Sequence, residues 1–294
     1  MEPKIKYGNP SYTHVKDLPQ VKYDDLLDKD AEPDRPVEMT TVEMTDDAFE
    51  RLGDIMLARG EYFLAVTNYE RSLKKNRKNI QAEYKKGLAF LAWEKNKEAA
   101  VQFQLVIEKQ DDFAKAYEGL GRVNFLNKDY YKGINNFKKA IELDPLLWKS
   151  YNFLGNIYDV QGKYNPAVKE YKTAITIKPD AGFIYNNLGV SLYLQGNNKE
   201  AVKAFDKALE LKYSNNRVYN NLGLTLGAME LYDKALESFK KAGSEAEAYN
   251  NLGCVYLKRG LKDKAARSFT KAIEISPQFY NLANENLKKC RTVN

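Results

Sequence analysis

The side chains best placed to do chemistry in this chain are carboxamides. Asn187, Asn221 and Asn251 each stand directly before a Leu-Gly pair. Asn186, Asn220 and Asn250 precede them, and Asn152 falls in the corresponding stretch upstream. A carboxamide carries both a donor and an acceptor, so a row of them at equivalent positions can pair with the backbone of an extended peptide without demanding particular side chains. The competing reading is that these are solvated positions carried along by duplication. Other chemistry has little to work with. The single histidine, His14, lies in a Pro-rich leader, which excludes a histidine triad, a His-metal site and a His acid/base pair from the folded body. Cys254 and Cys290 form no CxxC pair and read as buried or incidental thiols. No catalytic, cofactor-binding or metal-binding residue is expected.

The elements that position the amides are set by repetition. Glycines recur at Gly53, Gly87, Gly121, Gly155, Gly189, Gly223 and Gly253, in steps of 34 residues and a last step of 30. Twelve residues after each stands a small residue (Ala65, Ala99, Gly133, Ala167, Ala201, Ala235, Ala265). Four further on comes an aromatic (Tyr69, Phe103, Phe137, Tyr171, Phe205, Phe239, Phe269), and Pro145, Pro179 and Pro277 close several units. Tyr151, Leu154 and Tyr158 are three and four apart, as are Ala167, Tyr171 and Ala174, so each half-unit is an amphipathic helix with one apolar stripe. Two such helices cannot bury each other's stripes completely, so the units must stack. The aromatics are read as core. Gly162 and Gly196 fall where the first helix of a unit turns into the second, a place for positive φ.

The repeated aromatic, Leu-Gly, aromatic, Ala, aromatic, Ala and Pro resemble the tetratricopeptide repeat family over residues 46–279. Seven units follow: 46–79, 80–113, 114–147, 148–181, 182–215, 216–245 and 246–279. Residues 280–294 read as a capping helix and tail. The resemblance implies an all-α, right-handed superhelical solenoid of antiparallel helix pairs, with the first helix of each pair lining a concave groove. Repeat 2 departs from the pattern at Glu83 and Lys86, and repeat 1 has Arg77 in place of the closing proline. Repeat 6 is four residues short, and Ser244-Glu245-Ala246-Glu247 reads as the capping box of the next helix.

On this resemblance a peptide groove in repeats 4–7 comprises Lys149, Asn152, Asn156, Phe183, Asn186, Asn187, Val190, Tyr193, Arg217, Asn220, Asn221, Asn250 and Asn251. Phe183, Val190, Tyr193 and Leu194 form an apolar floor. Asn156, Asn187 and Arg217 match part of the two-carboxylate clamp with which some family members bind an acidic chaperone tail, with Lys149 at another groove position. Asn152 and Asn221 stand where that clamp has Lys and Arg. A looser likeness, over Tyr117 to Leu252, is to tetratricopeptide proteins of bacterial type IVb (tight-adherence) pilus assembly.

Charge divides the chain. Asp17 to Glu50 holds twelve acids against Lys22, Lys29 and Arg35, while residues 51–294 carry a net +13. The leader, 1–45, holds five of the nine prolines and is read as mostly disordered. The longest nearly apolar run, Gly87 to Trp93, is far short of the roughly 18 to 20 residues a membrane-spanning helix needs. The N-terminus shows no apolar secretory core, so a cytoplasmic location is expected, or a periplasmic or membrane-anchored one if a leader has been removed. The expected function is a non-catalytic scaffold or adaptor that holds a protein or peptide, with acidic character as the expectation the basic body suggests for that ligand. The alternatives are a pilus or secretion assembly factor, or a structural spacer. Nucleic acid is not expected as a partner, because the tyrosines take core positions and the lysines are interspersed with acids.

Overall fold

Each helix starts where the sequence supplies a cap or a turn. The computed structural model describes residues 44–213, 215–276 and 280–292, except the side chains of Tyr280, Arg291 and Thr292. Thr45 opens α1 (Asp46–Ala58), its hydroxyl accepting from the Ala48 N–H at 3.1 Å, and α2 (Tyr62–Lys75) follows. Then come α3 (Ile80–Ala92) and α4 (Asn96–Lys109), α5 (Ala114–Leu126) and α6 (Tyr130–Leu143), α7 (Trp148–Val160) and α8 (Tyr164–Ile177). The remainder are α9 (Gly182–Leu194) and α10 (Asn198–Glu210), α11 (Asn216–Ala228) and α12 (Tyr232–Ala242), α13 (Glu245–Lys258) and α14 (Lys262–Ile275), and α15 (Tyr280–Thr292). The described residues contain no strand. The leader to residue 43, His14 within it, and Pro277 and Phe279 lie outside the described residues.

The chain divides into two compact units between Ile157 and Tyr158, inside α7. In the N-terminal unit α1 packs on α2, α3 on α4 and α5 on α6, and each pair stacks on the next through its second helix. The C-terminal unit repeats this with α9 on α10, α11 on α12 and α13 on α14, and α15 closes over α14. The fold is of the all-α solenoid class built from helix pairs.

The turn inside every pair uses one residue in the left-handed region: Gly60, Glu94, Lys128, Gly162, Gly196, Glu230 and Gly260, with φ between 59° and 83°. Glycine adopts this without a Cβ penalty, whereas the two glutamates and the lysine must bear one. The seven aromatics are at most 1% exposed. Tyr69, Phe103, Phe137, Phe205, Phe239 and Phe269 press on the glycine of the facing helix: a Cβ on Gly189 would lie 2.6 Å from the Phe205 ring, and one on Gly253 2.5 Å from Phe269. That approach is closer than real Cβ atoms permit, so the spacing of glycine and aromatic sets how near the two helices come.

The departures in repeat 2 are compensated by ion pairs. Glu83, 7% exposed, is bonded to Lys109, and Lys86 reaches Glu70 at 2.9 Å. The shortened junction is equally tidy. Gly243 ends α12 in an extended conformation, and Ser244 caps α13 with both bonds of the capping box present, Glu247 N–H to Ser244 Oγ at 3.2 Å and Ser244 N–H to Glu247 Oε2 at 2.8 Å. In α15 the amide of Asn286 is fully buried, where the sequence pattern assigns asparagines of this helix to water.

Candidate functional site

Helices α9, α11 and α13 each carry an Asn-Asn pair one turn from their N-terminus, ahead of the Leu-Gly that packs on the second helix. Because the helices lie in successive layers, the first Asn of one pair meets the second Asn of the next. Asn221 Nδ2 donates to Asn186 Oδ1 at 3.3 Å, and Asn251 Nδ2 to Asn220 Oδ1 at 3.0 Å. The series ends on the closing helix, where Asn286 Nδ2 donates to Asn250 Oδ1 at 3.0 Å. The sequence places the asparagines in a row; that they bond to one another from layer to layer is a feature the pattern does not announce.

The relay uses one donor and one acceptor per bond and leaves the rest. Asn186 and Asn220 are 9% exposed, and Asn221 and Asn251 are half-buried. Among the described residues, Asn186 Nδ2, Asn220 Nδ2, Asn221 Oδ1 and Asn251 Oδ1 have no hydrogen-bond partner. Asn250 is completely buried, and its Nδ2 and the Asn286 Oδ1 are unpartnered too, sealed under α15. Asn187, 5% exposed, lies deeper than Asn221 and Asn251. Three positions equivalent in sequence therefore differ in access.

Around the relay, Phe183 meets Tyr213 edge-on at 6.3 Å, and Val190 and Tyr193 are partly buried on α9. Lys258, near the end of α13, reaches to Tyr193, with Nζ 3.5 Å from the phenol oxygen and 5.8 Å from the ring centroid. Arg217 is exposed in the first turn of α11. The C-terminal unit thus brings ten of the expected site residues onto three consecutive first helices, with Lys258 as an addition. Its signal is a lysine on the same helix as Asn250 and Asn251, two turns further on. Lys149, Asn152 and Asn156 lie on the part of α7 that belongs to the N-terminal unit, where Asn152 and Asn156 are buried at 6% and 5% exposure.

A second polar cluster sits beneath this region. Asp159, at the end of α7, accepts from Tyr171 Oη and from Ser191 Oγ, both at 2.7 Å. Burial raises its pKa to about 6, and the two hydroxyls pull in the other direction without cancelling it. Burial and the neighbouring carboxylate push the Tyr171 phenol well up.

Tetratricopeptide-repeat sequence models match residues 114–145, 155–196, 180–242 and 246–279, which together cover about half of the chain. The chain belongs to the tetratricopeptide repeat family. Repeats of this family are protein-binding scaffolds, generally without catalytic activity. Among curated proteins, the human Superkiller complex protein 3 is 30% identical over 101 residues; these are 32% of this chain, which spans only 6% of that protein's length. Among solved structures the tetratricopeptide fold matches YrrB, described as a TPR protein with an unusual peptide-binding site, at 25% identity and a TM-score of 0.53, covering 63% of this chain and 97% of that one. It also matches the APC/C hetero-tetramer Cut9-Hcn1 at 20% identity and a TM-score of 0.61, covering 83% of this chain and 49% of the other; this likeness concerns the fold alone. No helix among the described residues is long and apolar enough to cross a membrane.

Proposed function

We propose that this tetratricopeptide repeat protein is an adaptor that binds an extended segment of a protein partner along α9, α11 and α13. The observation that carries this reading is the unspent half of the asparagine relay. Successive layers offer an Nδ2 donor on the first Asn and an Oδ1 acceptor on the second Asn of the next helix, the two groups a peptide backbone requires. The relay bonds hold these amides in place, so less ordering is needed when a ligand arrives. Phe183, Val190 and Tyr193 supply apolar contact beside them. Arg217 and Lys258 favour a segment with carboxylates, in keeping with the excess of basic over acidic residues in the body of the chain. The likeness to YrrB supports peptide binding as the mode.

The test is selection of peptides from a random library, followed by backbone N-methylation of those enriched. Backbone recognition predicts that N-methylation abolishes binding at several consecutive positions, while most side-chain changes cost little. The Asn187→Ala, Asn221→Ala, Asn251→Ala protein should lose the same peptides while keeping its helical circular dichroism. Binding that survives both changes would overturn the reading.

A further inference from the structure

The second helices of the pairs follow one pattern at two positions, and α4 breaks it at both. Val101 and Leu105 stand one turn apart on the same face of α4. At the position of Val101 the other second helices carry Thr67, Asn135, Lys169, Lys203, Glu237 and Arg267. At that of Leu105 they carry Arg71, Lys139, Thr173, Lys207, Lys241 and Lys271, so every counterpart is polar or charged. Ala100 is small where Val66, Ile134, Val168, Val202 and Leu236 stand in five other repeats. Leu120 of α5 stays partly open, whereas its counterparts Leu154, Leu188, Leu222 and Leu252 are between 3% and 8% exposed. The result is an open groove of about 360 Å³ between α4 and α5, lined by Ala100, Val101, Gln104, Leu105, Glu108 and Leu120. Val101 is 56% exposed. A lone exposed aliphatic residue needs no explanation, but a pair flooring a groove on the one second helix that departs from six others does.

One end of the groove is acidic. Glu108 lines it a turn beyond Leu105, Asp111 and Asp112 follow in the connection to α5, and all three are exposed. Gln104 Nε2 donates to Glu108 at 3.5 Å and Gln110 Nε2 to Asp112 at 2.8 Å, but no ion pair engages any of the three among the described residues. Lys109 is bonded to Glu83, and Lys139, which feels Asp111 at longer range, is paired with Glu142 at 2.9 Å. We propose that this groove receives an amphipathic helix of a protein partner, with aliphatic side chains on Val101 and Leu105 and a lysine or arginine one turn further on, beside Glu108 and Asp111. A groove between two helices whose apolar residues lie one turn apart matches the anchor spacing of a third helix. The acids select the partner: they repel lipid headgroups of a negative membrane and the phosphates of nucleic acid, and they attract a basic side chain. The apolar part of the groove is short, so the contact belongs to the weak, exchangeable class. It lies in the N-terminal unit and does not depend on the peptide-binding face proposed on α9, α11 and α13.

The test is selection against the full chain from a displayed library of alanine-based helices, randomised among leucine, alanine, lysine, glutamate and glutamine. Enriched helices should share a pair of leucines one turn apart followed within a turn by lysine. The most enriched, synthesised with a fluorophore, is the probe. Val101→Lys with Leu105→Lys writes into α4 what α10 carries as Lys203 and Lys207, so helical circular dichroism should persist while affinity for the probe falls about tenfold or more. Glu108→Lys should weaken the lysine-bearing probe several-fold and favour the same helix with glutamate in place of that lysine. The Asn187→Ala, Asn221→Ala, Asn251→Ala protein should bind the probe unchanged, which keeps a failure here distinct from a failure of the peptide-binding reading. Enriched helices that share no such pattern, that carry acids in place of the lysine, or that bind the double variant equally well would each overturn the inference. So would self-association of the unaltered chain, seen by sedimentation and lost in the double variant, because it would give the groove to a second copy.

Discussion

Glu50 on α1 and Lys85 on α3 are 35 residues apart in sequence and 2.7 Å apart in space. Asn186 on α9 and Asn221 on α11 have the same interval and meet at 3.3 Å. The link between α1 and α3 in the N-terminal unit is thus made with charge, and those between α9, α11 and α13 in the C-terminal unit with neutral amides. Position, fixed by the repeat, decides that two side chains meet; residue type decides what the meeting leaves over. Lys85 is spent on Glu50 and Asp54. Burial works against its ammonium, but hydrogen bonds and attraction from the two carboxylates prevail and hold its pKa up. The amides keep spare donors and acceptors. The same contrast recurs one layer lower. Tyr69 Oη donates to Asp54 at 2.8 Å and Tyr171 Oη to Asp159 at 2.7 Å, yet Asp54 has Lys85 beside it, whereas no cation pairs with Asp159 among the described residues.

The largest effect should come from breaking the charged link. Lys85→Ala leaves Glu50 and Asp54 partly buried without their cation, and urea denaturation should register a loss of about 3 kcal/mol, smaller in high salt. Next is the uncompensated acid. The folded chain holds the Asp159 proton up to a pH of about 6, above the ordinary carboxylate value of 3.8, so stability from this group is full below about pH 4 and is lost as pH rises to 6. Asp159→Asn should flatten that decline and raise stability near pH 7 by about 2 kcal/mol, seen in denaturation curves across pH 4 to 7. The neutral link is weaker: Asn221→Ala should cost about 1 kcal/mol. Unlike the Lys85 change, its cost should be the same at low and high salt. The smallest change leaves both links alone. Glu230→Gly relieves a left-handed residue and should stabilise by up to about 1 kcal/mol, with Gly162→Ala the converse. Thermal melts of the two variants should move in opposite directions.

Much of the architecture is legible in the sequence, because a period of 34 residues repeats the same demand many times. The buried aromatics, the turns at Gly162 and Gly196 and the capping box at Ser244 all follow from residue type at a fixed offset. The links between layers are harder to read because they join two different offsets, one step out of the period. Glu50 with Lys85 and Asn186 with Asn221 become visible only at an interval of 35. Glu83 and Lys86 look like decay of repeat 2 until Lys109 and Glu70 are placed beside them. The environment of Asp159 has no sequence signature, since it depends on how deeply Tyr171 and Ser191 enclose one carboxylate. For the candidate site, residue types on the three helices were readable, whereas the different depths of Asn187, Asn221 and Asn251 were not.

The four-residue contraction at Gly243 and Ser244 shortens the interval between Asn220 and Asn251 to 31, and their bond still forms at 3.0 Å. The contraction falls on the last turn of α12, which has 11 residues where α8 and α14 have 14, and on the connector, which is reduced to Gly243 and Ser244, both exposed. This joint is therefore a natural splice point. A reporter domain or a new loop inserted there should leave the layers on either side in step, which makes it the place to open the chain for engineering.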